Sequence, residues 1–188
     1  MKEKCRFVAD SEHYSQVLEM AARAKRSLWL GTADLKDLHV KRGGRQVPFL
    51  GIAAELLERG VEVRLIHAKE PGPNFRADFD RYPALAGALE RVLCPRVHFK
   101  IIVIDSEVCY VGSANLTGAG MGMKSPHRRN FEAGVLSREP GMVAAAMEEF
   151  DKVWRGSECT ACGRKKYCTD PICCDTPPYH TISPSTSP

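Results

Sequence analysis

The chain has 188 residues, of which 44% are hydrophobic and 27% are charged. These values are typical of a globular protein with one domain of ordinary size, and they exclude a largely disordered chain. The net charge of +4 permits a polyanionic partner without requiring one. No stretch approaches the roughly 18 apolar residues of a membrane span, and the amino-terminal stretch has no hydrophobic segment of a secretory signal. We therefore expect a cytoplasmic protein with no membrane span.

The apolar pattern predicts helices and strands that alternate along the chain. Strands are predicted at 27–32, 61–68 and 131–137, a β-hairpin at 98–120, and helices at 14–24, 49–59, 84–92 and 141–154. Basic loops are predicted at 41–48 and 120–130, and the Pro- and Arg-rich residues 71–82 are expected to be irregular. This order predicts an α/β domain with a mixed sheet and helices on both faces.

The composition changes abruptly at Gly156, which divides the chain into three predicted units. Residues 1–155 form the α/β domain, and residues 156–175 form a Cys-rich knuckle with five of the eight cysteines. Residues 176–188 are rich in Pro, Ser and Thr, so there is almost nothing in them to bury and we expect a disordered tail.

The cysteine spacing in the knuckle predicts a structural metal site. A C-x2-C pair closes a tight chelate, and two further thiolates complete the tetrahedron that zinc prefers. The predicted ligands are Cys159, Cys162, Cys168 and either Cys173 or Cys174. Because the knuckle is short and polar, the metal would supply its folding energy, and "GRKKY" places three cations between the ligands, where they suit a phosphate backbone. An iron–sulfur cluster, disulfides, free thiols, or His180 in place of one thiolate are the alternatives.

The hairpin "HFKIIVIDSEVCYVGSANLTGAG", residues 98–120, carries the clearest chemical pattern. His98 and Lys100 lie two residues apart, so on a strand they point to the same side. An ammonium buried without a partner costs several kcal/mol, and an anion in front of the strand is therefore expected. A turn at 105–107 would bring Ser113 and Asn115 back beside this pair. A cation, an imidazole and two neutral hydrogen-bonding groups suit a phosphate.

The spacing His98-x-Lys100-x4-Asp105-x6-Gly112-Ser113-x-Asn115 resembles the signature of the phospholipase D superfamily. The segment "IAAELLERGVEVRLIHA" looks like the helix–strand unit that precedes this motif in the superfamily, and "NFEAGV" looks like the strand that follows it. The resemblance covers about residues 14–155 and implies a phospholipase D-like fold. One position departs from the pattern: His67 stands in a region where relatives often have an aspartate.

The resemblance implies roles for individual residues. His98 would be the nucleophile that forms a phosphohistidine, and Lys100 and Asn115 would hold the phosphate oxygens. Ser113 would add a hydrogen bond, and Glu132 matches the carboxylate that orients the nucleophilic histidine. Asp105 lies at the turn, where a structural role is expected. The resemblance implies that catalysis needs no metal or other cofactor.

The motif occurs once in this chain, whereas the chemistry needs two imidazoles, one to attack and one to protonate the leaving oxygen. Superfamily members with a single motif build the site from two chains. We therefore expect a homodimer with a shared active site, in which the same surface of each subunit meets the other across a two-fold axis.

The expected substrate is nucleic acid, either DNA or RNA, and the expected activity is that of an endonuclease. Small size and the basic loop near the motif favour this substrate, and Lys124, Arg128 and Arg129 are the candidate contacts. Hydrolysis of phospholipid phosphodiesters or phosphatidyl transfer is the alternative reaction. A nucleic-acid-binding module without turnover is a further alternative.

Overall fold

A computed structural model describes residues 4–36, 38–70 and 72–169 of the chain. The strands are β1 (Cys5–Ala9), β2 (Ser27–Thr32), β3 (Leu35–Lys36), β4 (His39–Arg42), β5 (Arg45–Pro48), β6 (Glu62–His67), β7 (Glu90–Leu93), β8 (Ile101–Ile104), β9 (Val108–Gly112), β10 (Leu116–Thr117) and β11 (Ala133–Ser137). The helices are α1 (Glu19–Ala21), which continues a π-helical turn at His13–Leu18, α2 (Phe49–Glu58), α3 (Pro73–Asp80), α4 (Pro83–Ala88) and α5 (Pro140–Trp154).

Seven strands form one mixed sheet in the order β1-β11-β9-β8-β2-β6-β7. The strands β2, β6 and β7 are parallel to one another, and β8, β9, β11 and β1 continue the sheet with antiparallel pairings. The β8–β9 hairpin lies at the centre of the sheet, where all four β8 residues are buried. The sequence prediction of a mixed α/β sheet is confirmed.

Helices cover both faces of this sheet. On one face, the π-helical turn, α1 and α2 pack against apolar residues that include Leu28, Leu65 and Ile102. On the other face, α5 packs across β8 and β9, and Phe150 stacks on Trp29 with ring centroids 5.2 Å apart. Burial of these two large aromatic rings stabilises the packing of α5 on the sheet, because each ring removes well over ~100 Å² of apolar surface from water.

Several predicted elements differ in the structure. The basic segment 41–48 forms most of the β4–β5 hairpin, whose turn contains Gly43 and Gly44 at positive φ. Residues 71–82 contain α3, because Phe75 and Phe79 one turn apart bury their rings in the core. The helix predicted at 84–92 ends at Ala88, where the chain turns into β7.

The amino-terminal strand β1 was not predicted, and it extends the sheet at one edge by pairing with β11. No helix within residues 4–36, 38–70 and 72–169 is long and apolar enough to cross a membrane. The knuckle is described as far as position 169 and contains a 3₁₀ turn at Lys165–Tyr167. Cys173, Cys174, His180 and the predicted tail lie outside the described residues.

Asp105 ties the hairpin turn to the start of β2. Its carboxylate accepts backbone N–H groups from Lys25, Arg26 and Ser27 at distances of 2.7–3.2 Å. The residue has a φ of +56°, a conformation that Asp and Asn tolerate better than most residues. Burial raises the pKa of this carboxyl, but the three N–H donors and Arg26 outweigh burial and leave the pKa lowered. These contacts give Asp105 the structural role that the sequence predicted.

We expect Asp105→Ala to lower the free energy of unfolding by about 1–3 kcal/mol, because three backbone donors lose their acceptor. Asp105→Asn should cost less, since its amide oxygen can still accept and Asn tolerates the positive φ. Urea unfolding at pH 7 measures both losses. Because the folded pKa is lowered, the stabilisation is present at neutral pH and is lost as the pH falls below the ordinary aspartate value of 3.8.

Glu107→Gln is the matched control, since Glu107 sits in the same turn and makes an exposed ion pair with Arg26. Loss of such a pair costs at most about 1 kcal/mol. Equal losses for Glu107→Gln and Asp105→Ala would contradict the role assigned to Asp105.

Candidate functional site

His98 and Lys100 lie on the extended segment that leads into β8. Lys100 is buried, with 6% of its surface exposed, whereas His98 is exposed. The Lys100 Nζ donates to the carbonyl oxygen of His98 at 2.6 Å and lies 3.4 Å from His98 Nδ1. The two side chains therefore share one small volume, as their spacing predicted.

The ammonium of Lys100 has no carboxylate within ion-pair distance among the described residues. Burial lowers the pKa of Lys100, and the charge of Glu132 partly opposes this effect. A cation in this position attracts an anion strongly, because water is displaced from it and no protein carboxylate neutralises it directly.

The returning strand brings Ser113 next to this pair. Gly112 N–H donates to the Lys100 carbonyl at 3.2 Å, which joins the end of β9 to the residue before β8. The Ser113 hydroxyl donates to Glu132 and accepts the N–H of Ala133 at 3.1 Å. The second oxygen of Glu132 accepts from the Asn130 amide at 2.9 Å. Glu132 is thus held by Ser113 and Asn130, and its predicted contact with His98 remains a prediction.

Asn115 is oriented by β2 and the residues after it. Its amide oxygen accepts from the Thr32 hydroxyl at 3.2 Å and from the Asp34 N–H at 3.1 Å. The Thr32 hydroxyl also accepts the N–H of Leu116 at 3.1 Å. With the oxygen of Asn115 engaged twice, its NH₂ group is left to donate, and such a donor suits the non-bridging oxygens of a phosphate.

Thr32 and Asp34 are candidate-site residues that the sequence analysis missed. Thr32 ends β2 and Asp34 follows it, and the carboxyl end of β2 lies beside that of the parallel strand β6. Asp34 pairs with Lys36 at 3.0 Å and with Lys69 at 3.2 Å, which places two further cations near Asn115. The signal available in the sequence was a hydroxyl at the end of a buried parallel strand, a location where ligand-binding residues often lie.

Gly112 has a packing role beside Tyr110. A Cβ at Gly112 would collide with the Tyr110 hydroxyl and with the carbonyl of Ala133, and a Cβ at Gly134 would collide with the same ring. Tyr110 is buried beneath both glycines, and its hydroxyl accepts the Ala114 N–H at 3.3 Å. Burial raises the pKa of Tyr110 to about 12, so the hydroxyl stays protonated.

His67, the position that departs from the superfamily pattern, is fully buried at the end of β6. Its Nδ1 lies 2.8 Å from the Lys69 carbonyl, which requires the proton on Nδ1. Burial lowers the pKa of His67 to about 4, so the ring is neutral at pH 7. This neutral, hydrogen-bonded ring is a structural residue in the described fold.

The basic loop at 118–130 approaches the site from the β11 side. Backbone hydrogen bonds fasten it: Arg128 and Arg129 N–H groups donate to the Ser125 carbonyl, and Asn130 N–H donates to the Ala119 carbonyl. Arg128 is exposed and Arg129 is half-buried. The last residue of the loop, Asn130, donates from its amide to Glu132, so the end of the loop contacts the site.

The predicted metal ligands are only partly within the described chain. Among residues 4–36, 38–70 and 72–169, no three His, Cys, Asp or Glu side chains converge on a common metal position. Cys159, Cys162 and Cys168 are half-buried. Binding of zinc by these three thiols with Cys173 or Cys174 remains a prediction.

Solved structures with a similar fold include proteins whose described roles differ. The chain is similar to Nuc of Salmonella typhimurium, a phospholipase D family member, with TM-score 0.58 and 20% identity over 80% of this chain and 93% of Nuc. It is similar to TrmBL2, an archaeal chromatin protein with a novel mode of DNA binding, with TM-score 0.56 and 20% identity. That match covers 81% of this chain but only 52% of TrmBL2.

A third similar structure is the phosphatidylserine synthase of Haemophilus influenzae, with TM-score 0.54 and 16% identity over 79% of this chain and 37% of the synthase. At these identities the likeness establishes the fold alone. No curated protein sequence matches the chain.

The family model described as "Cardiolipin synthase, PLD-like domain" matches residues 17–154. This range contains the whole sheet except β1, together with His98, Lys100, Ser113, Asn115 and Glu132. The chain therefore belongs to the phospholipase D-like family.

Proposed function

We propose that the protein is a phosphodiesterase that works through a phosphohistidine at His98, and that it is an endonuclease for DNA or RNA acting as a homodimer. The observation that carries this proposal is the exposed His98 imidazole beside the buried, unneutralised ammonium of Lys100. The Asn115 amide, held with its NH₂ available, completes a set of donors for a phosphodiester.

The proposed first step is attack of His98 Nε2 on phosphorus, in the tautomer whose ring proton is on Nδ1, from which Glu132 would accept a hydrogen bond. The N–P bond forms, the P–O bond to the leaving nucleoside breaks, and the leaving oxygen takes a proton from the imidazolium of His98 in a second copy of the chain. Water then attacks phosphorus, gives its proton to that second imidazole, and releases His98. Lys100 and Asn115 stabilise the negative charge on the non-bridging oxygens in both steps.

No metal takes part in these steps, because fixed donors supply the electrostatic stabilisation. A zinc ion in the knuckle would be structural, and Cys159, Cys162 and Cys168 would supply three of its ligands. Lys165 and Lys166 are exposed there, and the Lys166 ammonium lies 4.7 Å from the centroid of the Tyr167 ring. These cations would help to hold a phosphate backbone.

Two surface features support nucleic acid as the substrate. The loop with Lys124, Arg128 and Arg129 borders the site and offers cations for phosphates on either side of the scissile bond. Phe131 is 95% exposed next to Glu132, and an exposed aromatic ring is suited to stack on a base.

A specific observation also supports the phospholipid alternative. A groove of about 640 Å³ is lined by apolar residues that include Leu35, Leu38 and Phe75. Leu35 and Lys36 pair with Leu116 and Thr117, directly after Asn115, so an acyl chain in this groove would start near the phosphate position.

We expect the purified protein to cleave labelled DNA or RNA during a short assay in excess EDTA. His98→Ala should lower the rate by at least about 10³-fold, because both the nucleophile and the proton donor are lost. Arg45→Ala, which removes an exposed side chain of the β4–β5 hairpin, is the control and should retain the rate within a factor of about three. Turnover of phosphatidyl lipids with none of nucleic acid would support the alternative reaction.

Subunit mixing tests whether two copies share one active site. When wild-type and His98→Ala chains are co-expressed in equal amounts with different tags, random pairing leaves about a quarter of the dimers with two His98 residues. We expect the activity to fall to about a quarter of the wild-type value and the isolated mixed dimer to be inactive. An independent site in each chain would instead leave about half of the activity.

Arg128→Ala should weaken nucleic-acid binding by a similar factor for different sequences. The slope of log binding constant against log salt concentration should also fall by about 1, because one phosphate contact is lost. Fluorescence anisotropy over a salt series measures both effects. Arg45→Ala removes an exposed arginine from the β4–β5 turn and is the matched control. An unchanged slope for Arg128→Ala would remove the loop from the binding surface.

A further inference from the structure

A cysteine of the catalytic domain lies in the same groove as two cysteines of the knuckle. Cys94, at the end of β7, lines a groove of about 200 Å³ together with Cys159 and Cys162. The groove lies between the turn 94–97 and the carboxyl end of α5, and Glu149 and Lys152 of that helix form its other wall. The three thiols come from positions up to 68 residues apart.

Two arginine contacts hold the knuckle against this turn. Arg164 of the knuckle donates from Nη1 to the Pro95 carbonyl at 3.3 Å. Arg96 of the turn lies beside Cys162 in the groove, where its charge acts on that thiol. The position of the knuckle on the turn therefore rests on contacts from both sides, and the shared groove is a consequence of them.

The knuckle backbone has the local geometry of a metal-binding turn. Cys162 N–H donates to the Cys159 carbonyl at 3.2 Å, which closes the C-x2-C segment into a turn. Cys168 N–H closes a second turn on the Lys165 carbonyl at 3.0 Å. The described knuckle thus supplies three thiols, and a tetrahedral thiolate site needs one more.

We propose that Cys94 supplies the fourth ligand, so that Cys94, Cys159, Cys162 and Cys168 bind one thiophilic metal centre. The centre is either a zinc ion or an iron–sulfur cluster, because both take four cysteine thiolates. This set replaces the predicted fourth ligand, Cys173 or Cys174. The sequence spacing could not reveal Cys94, because it lies far upstream and the fold alone brings it to the knuckle.

Metal binding requires the thiols to converge further than they do in this structure. No helix or strand of the described knuckle would have to break for this, because its longest regular element there is the three-residue turn Lys165–Tyr167. The backbone of Cys94 is held on the catalytic domain, since its N–H donates to the His67 carbonyl at 2.9 Å. The free energy of metal binding would then order the knuckle on the domain.

The site has a functional consequence, because the turn 94–97 leads directly to His98. Val97 is buried, and its N–H donates to the Cys94 carbonyl at 3.0 Å. A metal bound by Cys94 would fix one end of this turn and so the backbone from which His98 projects. Cys94 is on this account a positioning residue for the proposed nucleophile.

The test measures metal directly and does not depend on catalytic activity. The full chain is produced with zinc and iron in the medium, purified without oxygen, and passed over a gel-filtration column with a competing chelator. Elemental analysis then gives zinc and iron per chain, and visible absorption distinguishes an iron–sulfur cluster from zinc. We expect Cys94→Ser to retain at least about 10-fold less metal than the wild-type chain. Cys173→Ser/Cys174→Ser and the distant, exposed Cys5→Ser should retain the wild-type amount.

A second measurement covers the case in which Cys94→Ser does not fold. In the wild-type chain, alkylation followed by mass spectrometry should label Cys5 readily and leave Cys94 protected while the metal is bound. Removal of the metal should make Cys94 reactive together with Cys162. A metal-free wild-type protein, full metal in Cys94→Ser, or loss of metal in Cys173→Ser/Cys174→Ser would each overturn the proposal.

Discussion

The buried ammonium of Lys100 is the constraint on which the rest of the site depends. Lys100 lies directly before β8, whose four residues are all buried, and the described chain provides no carboxylate within ion-pair distance of its ammonium. The nearest strong acceptor is the carbonyl of His98, the residue that carries the proposed nucleophile. The fold therefore maintains a positive charge at some cost in stability, and a bound phosphodiester would offset that cost.

The neighbouring groups are fixed so that they favour an anion at this place. Asn115 has its oxygen engaged by Thr32 and Asp34, and Ser113 and Asn130 occupy the two oxygens of Glu132. The acceptor oxygens of Asn115 and Glu132 are thus satisfied by hydrogen bonds within the protein. Such fixed donors need not reorganise as charge develops, which is the main source of electrostatic catalysis.

Patterns of local spacing predicted much of the fold and the core of the site. Alternation of apolar residues was sufficient for β2, β6 and the β8–β9 hairpin, because these strands are buried and regular. The same patterns did not predict α3. Its proline and arginine residues indicated an irregular segment, although Phe75 and Phe79 are buried. They did not reveal why position 112 is glycine, because the ring of Tyr110 lies against it only in the folded structure. The folded structure was needed to recognise three further residues, because segments far apart in the sequence bring them to the sites. These are Thr32, Asp34 and Cys94.

The central claim is that His98 becomes covalently bound to phosphorus during turnover. The most direct test is a rapid-mixing experiment with a phosphorus-labelled oligonucleotide. The reaction is quenched in alkali, which preserves the N–P bond, and the labelled peptides are mapped by mass spectrometry. The account predicts a labelled peptide that contains His98, formed and lost at rates compatible with turnover and absent from Asn115→Ala at matched times. Cleavage of the substrate at the normal rate with no phosphoryl group on His98 at any time would contradict the account.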